Sequence, residues 1–224
     1  MTTQNDIQKI LFLDNHLIAV YKPAGVLTQS DNSNTKSLID EVKSWIKTEF
    51  NKPGNVFLGL VHRLDRNVPG VILFARTSKA ASRLSKQFRD KTIKKIYHAI
   101  VEGKPKAEHA TLNHHIRKEK SLKSTVFKWP GDNTKNAELE YTIIESYSSS
   151  CFLKIKLHTG RFHQIRAQLA FIGHPIVGDK KYGASTYLPG REIALYASRL
   201  VFKHPITEKE VSIESPIPSY WPKY

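Results

Sequence analysis

Two stretches of this 224-residue sequence gather side chains able to do acid–base or nucleophilic work. In the first, Gly59-Leu60-Val61-His62-Arg63-Leu64-Asp65-Arg66-Asn67-Val68-Pro69-Gly70, a carboxylate stands between two arginines in a turn closed by Pro69-Gly70. An ionised carboxylate there can attack an electrophilic carbon or take a proton. A carboxylate at a strand end is also a common turn cap, so Asp65 alone decides nothing. The second stretch, Leu157-His158-Thr159-Gly160-Arg161-Phe162-His163-Gln164-Ile165-Arg166, runs from an alternating strand through a glycine turn into a helix. It places Arg161, His163, Gln164 and Arg166 at the helix start, where the plain reading is a set of solvent-facing polar groups. Arg166 is out of phase with Ile165 and Leu169 and need not face their core.

Three other patterns fail on inspection. His62 to Asn67 has the composition of a kinase catalytic loop, but Leu64 and Asp65 are transposed and no Asp-Phe-Gly accompanies it. Gly173 to Gly178 has P-loop glycine spacing, with Asp179 where the lysine belongs and a helix preceding it. Ten histidines and one cysteine offer no metal-ligand spacing, and His114-His115 reads as a pair of loop residues.

The elements that must position these residues follow from apolar periodicity. Ile10 to Pro23 reads as a hairpin around Asp14-Asn15. A helix is expected over Ser37–Phe50, with Ser37 and Asp40 at capping-box spacing and Leu38, Val42, Trp45 and Ile46 on one face. Val56–Val61 and Val71–Ala75 are β-rich runs flanking the Asp65–Gly70 turn. Ser78 caps a second helix with Ala81, Leu84 and Phe88 inward. Ile93–Val101 and Phe152–His158 alternate as strands, while Lys104–Asn136 reads as strands with loops or a mobile insertion. Phe162–Ile172 forms a third helix stopped by Gly173. Ala194–Phe202 and Glu210–Ile213 make a closing hairpin around His204-Pro205. Many strands and three helices predict an α+β fold on a mixed, largely antiparallel sheet.

The formal charge is +15, with 40% hydrophobic residues, so this is a folded basic body whose default partner is a polyanion. Arg76 to Lys106 holds ten Lys or Arg against Asp90 and Glu102, carrying +8 of that charge. Lys79, Arg83 and Lys86 recur on one face of the second helix and lead into Lys94-Lys95, a candidate stripe for an RNA or DNA backbone. The lone Cys151 implies a reducing compartment, and no apolar stretch reaches the ~18 residues of a spanning helix. The first ten residues lack the pattern of a signal peptide. A cytoplasmic chain with no membrane association is expected.

Taken in order, the motifs resemble the RluA-type RNA pseudouridine synthases. The His-Arg-Leu-Asp box is His62–Asp65, followed by Gly70 and an apolar strand. The Lys-x-Tyr strand is Lys95-Ile96-Tyr97, and Thr-Gly-Arg-x-His-Gln-Ile-Arg is Thr159–Arg166. His174-Pro175-Ile176-Val177-Gly178-Asp179 and Leu195–Pro205 also fit, so the likeness runs from about Ile10 to Pro222. The chain departs from the pattern in Val68-Pro69, where Thr-Ser is common, and no segment resembles an S4 RNA-binding domain.

The resemblance implies one catalytic domain over residues 1–224, with a long sheet, flanking helices and a central cleft. It implies isomerisation of specific uridines in tRNA and/or rRNA: the N1–C1′ bond breaks, the uracil turns, and the ring rejoins through C5. That requires no metal and no cofactor. Asp65 maps onto the catalytic carboxylate, attacking C1′ or removing a proton from C2′. The resemblance makes Arg166 its guanidinium partner and Tyr97 the aromatic that stacks on the target base. Arg63, beside Asp65, is placed to brace the space left by a flipped base, or to bind phosphate. Arg63, Lys79, Arg83, Lys86, Lys94, Lys95, Arg161 and His163 are the candidate RNA contacts. A monomer without an obligate protein partner is expected. The competing readings are a non-catalytic RNA binder and an enzyme acting on free nucleosides.

Overall fold

The computed structural model describes residues 9–30, 35–188 and 192–222; the reading of the extreme N-terminus lies outside them. The chain divides into two compact units, Met1–Ile93 with Arg199–Pro216, and Lys94–Ser198 with Ile217–Tyr224.

The first unit holds strands β1 (Ile10–Leu13), β2 (Leu17–Lys22), β3 (Gly59–Leu60) and β4 (Gly70–Ala75), helices α1 (Leu38–Glu49) and α2 (Ser78–Arg89), and β11 (Glu210–Glu214). Strand β10 (Leu195–Lys203) begins in the second unit and ends in the first. The order is β1-β2-β4-β10, with β3 on β4 and β11 on β10. Strand β4 and residues Leu17–Val20 of β2 are apolar in succession because both sheet faces are covered. Ile18, Val20, Ile72 and Phe74 pack with Leu38, Val42 and Ile46 of α1. The alternate residues Leu17, Ala19, Val71, Leu73 and Ala75 pack with Ala80 and Leu84 of α2.

Helix α1 follows the expected bounds, with the Asp40 carboxylate accepting from the Ser37 N–H at 3.2 Å. The cap of α2 is corrected by one residue: Thr77, not Ser78, accepts from the Ala80 N–H. The strand expected over Val56–Val61 shrinks to Gly59–Leu60. Beyond it the Leu73 N–H donates to the His62 side chain (2.9 Å) instead of to a strand, so the ladder ends and the chain is released into the Asp65 turn.

The second unit is a sheet ordered β10-β5-β9-β8-β6-β7. Its members are β5 (Lys94–Glu102), β6 (His109–Lys118), β7 (Ser124–Phe127), β8 (Lys135–Ser146) and β9 (Ser150–Leu157). The region without clean periodicity, Lys104–Asn136, therefore forms strands. Helix α3 (Gln164–Phe171) starts two residues later than its periodicity predicts, because His163 adopts left-handed angles (φ 52°, ψ 25°). It ends as expected: Gly173, at φ 87°, donates to the Ala170 carbonyl and His174 to that of Leu169. The pairs β1–β2, β2–β4, β3–β4, β5–β9, β9–β8, β8–β6, β6–β7 and β10–β11 are antiparallel, and with three α-helices among the described residues the fold is α+β on a mixed, mostly antiparallel sheet.

Candidate active site

In the first unit, Asp65 sits half-buried in a loop whose two flanking residues are both fastened to the segment after β2. On one side, the buried Thr28 hydroxyl donates to the Leu64 carbonyl (3.1 Å) and accepts from the Leu64 N–H (3.3 Å). On the other, the Arg66 carbonyl accepts from the Gly25 N–H (2.8 Å) and from the Lys22 ammonium (2.9 Å). The Arg66 side chain returns the bond to the Gly25 carbonyl at 2.8 Å. The Asp65 carbonyl closes its own turn by accepting from Val68 at 3.1 Å. Gly70 then leaves the turn at φ 130°, a conformation that disfavours any side chain. His62 accepts through Nε2 and stacks on Phe88 of α2, which requires a neutral ring with its proton on Nδ1.

Lys22, which in the sequence merely ends a hairpin, is fully buried at the close of β2, opposite Gly70. Its ammonium donates to the carbonyls of Pro23 (3.0 Å), Val26 (2.9 Å) and Arg66 (2.9 Å). Burial draws its pKa down to about 7, the Asp65 charge raises it, and the Arg66 charge lowers it. The attraction with Asp65 is mutual, so a protonated Lys22 favours an ionised carboxylate. The available signal was a lysine ending an otherwise apolar strand just before Pro23-Ala24-Gly25.

In the second unit, Tyr97 lies on β5 opposite Ile155 of β9 and is 9% exposed. The turn leading to α3 is pinned to β8. Thr159 donates to the Gln164 side-chain oxygen (2.7 Å), which also accepts from the Arg161 N–H, while the Gln164 amide donates to the Glu138 carbonyl (3.1 Å). This network directs Arg166 inward, where it is 5% exposed. Solvent-facing polar groups are thus the wrong picture for this helix start, since residues Gln164 to Leu169 are all buried.

Arg166 meets the carboxylate of Asp179, which closes the motif His174–Asp179. Its Nε donates to Asp179 Oδ2 (2.6 Å) and its Nη2 to Oδ1 (2.8 Å), a two-pronged pair with Asp179 1% exposed. Its Nη1 faces His163 Nε2 at 3.0 Å, and the Tyr182 ring centroid lies 5.1 Å from the guanidinium carbon. Because a guanidinium only donates, His163 Nε2 accepts and Nδ1 bonds the Tyr182 hydroxyl at 3.0 Å. Burial, then Arg166, holds the His163 pKa down at about 3. His163 is therefore a neutral, packed support for Arg166.

The other candidate RNA contacts scatter. Arg63, Lys79, Arg83, Lys86, Lys94 and Arg161 are exposed, and Lys95 is half-buried. Arg83 donates to the Pro205 carbonyl, Lys86 pairs with Asp90, and Arg161 donates to the Asn136 carbonyl. Among the described residues no three His, Cys, Asp or Glu cluster as a metal site.

The family model described as RNA pseudouridylate synthase matches residues 16–171, a span that includes Asp65, Tyr97 and Arg166. The chain belongs to the RNA pseudouridylate synthase family. It is 33% identical over 213 residues to the uncharacterized RNA pseudouridine synthase YhcT of Bacillus subtilis (strain 168), covering 94% of this chain and 68% of that protein. It is 33% identical over 217 residues to the ribosomal large subunit pseudouridine synthase C of Vibrio cholerae serotype O1 (strain ATCC 39315 / El Tor Inaba N16961), covering 94% and 66%. The chain thus spans about two thirds of the length of these pseudouridine synthases. The human RNA pseudouridylate synthase domain containing 4 shares its fold, with a TM-score of 0.82 at 24% identity over 96% of this chain and 90% of that one. The pseudouridylate synthase family is a family of isomerases, and the α+β fold is one its members share.

Proposed function

We propose that this chain isomerises specific uridines of tRNA and/or rRNA to pseudouridine, with Asp65 as the catalytic carboxylate. The names of its relatives favour ribosomal RNA. The observation that carries the reading is the fastening of the Asp65 loop at Leu64 and Arg66, beside a charge-coupled Lys22. A turn cap needs no such fixing, whereas a carboxylate aimed at ribose does. In this reading Tyr97 stacks on the target uracil, and Arg166 supports Asp65 in keeping its charge. The residues from 1 to 224 act as one catalytic domain, as a monomer in the cytoplasm, with RNA as the partner and no metal or cofactor.

The bond changes balance without a co-reactant. N1–C1′ breaks, C5–C1′ forms, the C5 proton is lost, and N1 of the turned ring gains one. Asp65→Asn keeps the side chain's size and loses its charge, so purified variant should bind RNA normally and form no pseudouridine. Near-parental conversion by Asp65→Asn would sink the assignment. Conversion of free uridine as readily as RNA would favour the nucleoside enzyme, and binding without conversion by the parent would favour the simple binder.

A further inference from the structure

The most exposed large apolar residue among the described residues is Trp129, at 79%. It has no catalytic role in the reading above and no ring or cation contact among the described residues. It stands in the seven-residue connection between β7 and β8, and the strand registers define that path. Phe127 of β7 and Asn136 of β8 both lie opposite His115, on opposite edges of β6. Residues 128–134 must therefore cross over β6. The crossing is shaped by a turn in which the Thr134 N–H and hydroxyl both bond the Gly131 carbonyl (3.1 and 2.7 Å) and the Gly131 N–H bonds the Thr134 hydroxyl (2.9 Å). An indole on a braced crossover is pre-set for contact at small entropic cost.

The chain on either side of it is basic. Arg117 to Lys135 carries six Lys or Arg against Glu119 and Asp132. Lys118, Lys120, Lys123, Lys128 and Lys135 are exposed. An isolated apolar patch would suit a protein partner. A bare aromatic face on a connection that begins and ends beside the exposed Lys128 and Lys135 suits a polyanion with stackable rings.

We infer that Trp129 is a stacking platform for an unpaired base of the RNA substrate, with the neighbouring lysines on its phosphates. This rests on the proposed function and names a docking surface built on residues other than Asp65, Tyr97 and Arg166. The test uses the full chain and a hairpin RNA that the parent is shown to modify. Trp129→Ala should raise the dissociation constant and KM by about 5- to 100-fold with little change in kcat, and Trp129→Phe should restore most of the affinity. The parent's Trp fluorescence should be quenched by RNA, and Trp129→Ala should lose most of that quenching. Unchanged affinity, or affinity lost equally in Trp129→Phe, overturns the inference while leaving the proposed function standing. A changed oligomeric state with unchanged RNA affinity assigns the surface to a second copy and also overturns it. A parent that neither binds nor modifies any RNA removes the function and the platform together.

Discussion

Lys22 shows how one buried side chain can set the geometry of a loop, here the one that carries Asp65. Its three protons meet three carbonyls from two segments, Pro23 and Val26 after β2 and Arg66 after the turn. Lys22→Met keeps the length of the side chain and strands those acceptors, so unfolding free energy should fall by about 3 kcal/mol, read by urea titration. Turnover should fall further than stability explains, since Asp65 is positioned by the same bonds; an unchanged midpoint and rate would show that the carbonyls find other donors. The pH dependence has a definite sign. The folded pKa is drawn from 10.5 to about 7, so the unfolded chain binds the extra proton between those values. The contribution of Lys22 to stability is therefore fullest above about pH 10 and is lost as pH falls toward 7. The stability gap between parent and Lys22→Met should widen as pH rises through that window.

Helix α3 behaves unlike a surface helix. Its first six residues are buried, and its entry is set by a left-handed His163 held between Tyr182 and Arg166. The pair of Arg166 with Asp179 joins this helix to the segment following Ile176, which itself bridges β5 at Val101. Breaking a buried pair by removing one partner leaves an uncompensated charge, and Asp179→Ala should cost about 3–5 kcal/mol in thermal or urea unfolding. Arg166→Lys keeps the charge and loses the planar fork, so it should cost less in stability and still depress turnover. If Arg166 works through Asp65, combining Arg166→Ala with Asp65→Asn should be little worse than Asp65→Asn alone. A fully additive double variant would leave Arg166 as a purely structural anchor.

At the scale of the whole molecule, a charge of +15 makes RNA affinity a function of salt, because each neutralised phosphate releases counterions. Replacing Lys79, Arg83 and Lys86 together should flatten the log–log slope by up to about 2 if all three meet single-stranded phosphates. The bonds of Arg83 to Pro205 and of Lys86 to Asp90 compete with that role, so a smaller change would assign the phosphate path to Lys79 and to cations elsewhere. An unchanged slope would mean that this face of α2 is merely solvated.

What the sequence determined by itself is local or carried by ordered motifs. The α+β class, the Ser37 start of α1, the Gly173 stop of α3 and the membership of the family were all legible, because capping, glycine stops and apolar periodicity act within a few residues. Tertiary structure alone decided the rest. The hairpin expected over Ile10 to Pro23 does not tell that α1 covers one face of β2 and α2 the other. Lys22 looked like a hairpin end because its partner Arg66 lies 44 residues away. The role of Asp179 is not legible in its own motif because its partner is 13 residues off and across a helix stop. His163 reads as one of a set of solvent-facing polar groups because nothing in its neighbours announces a positive φ. Each miss has the same physical origin: burying a polar group requires a partner, and the partner is supplied by the fold rather than by the adjacent chain.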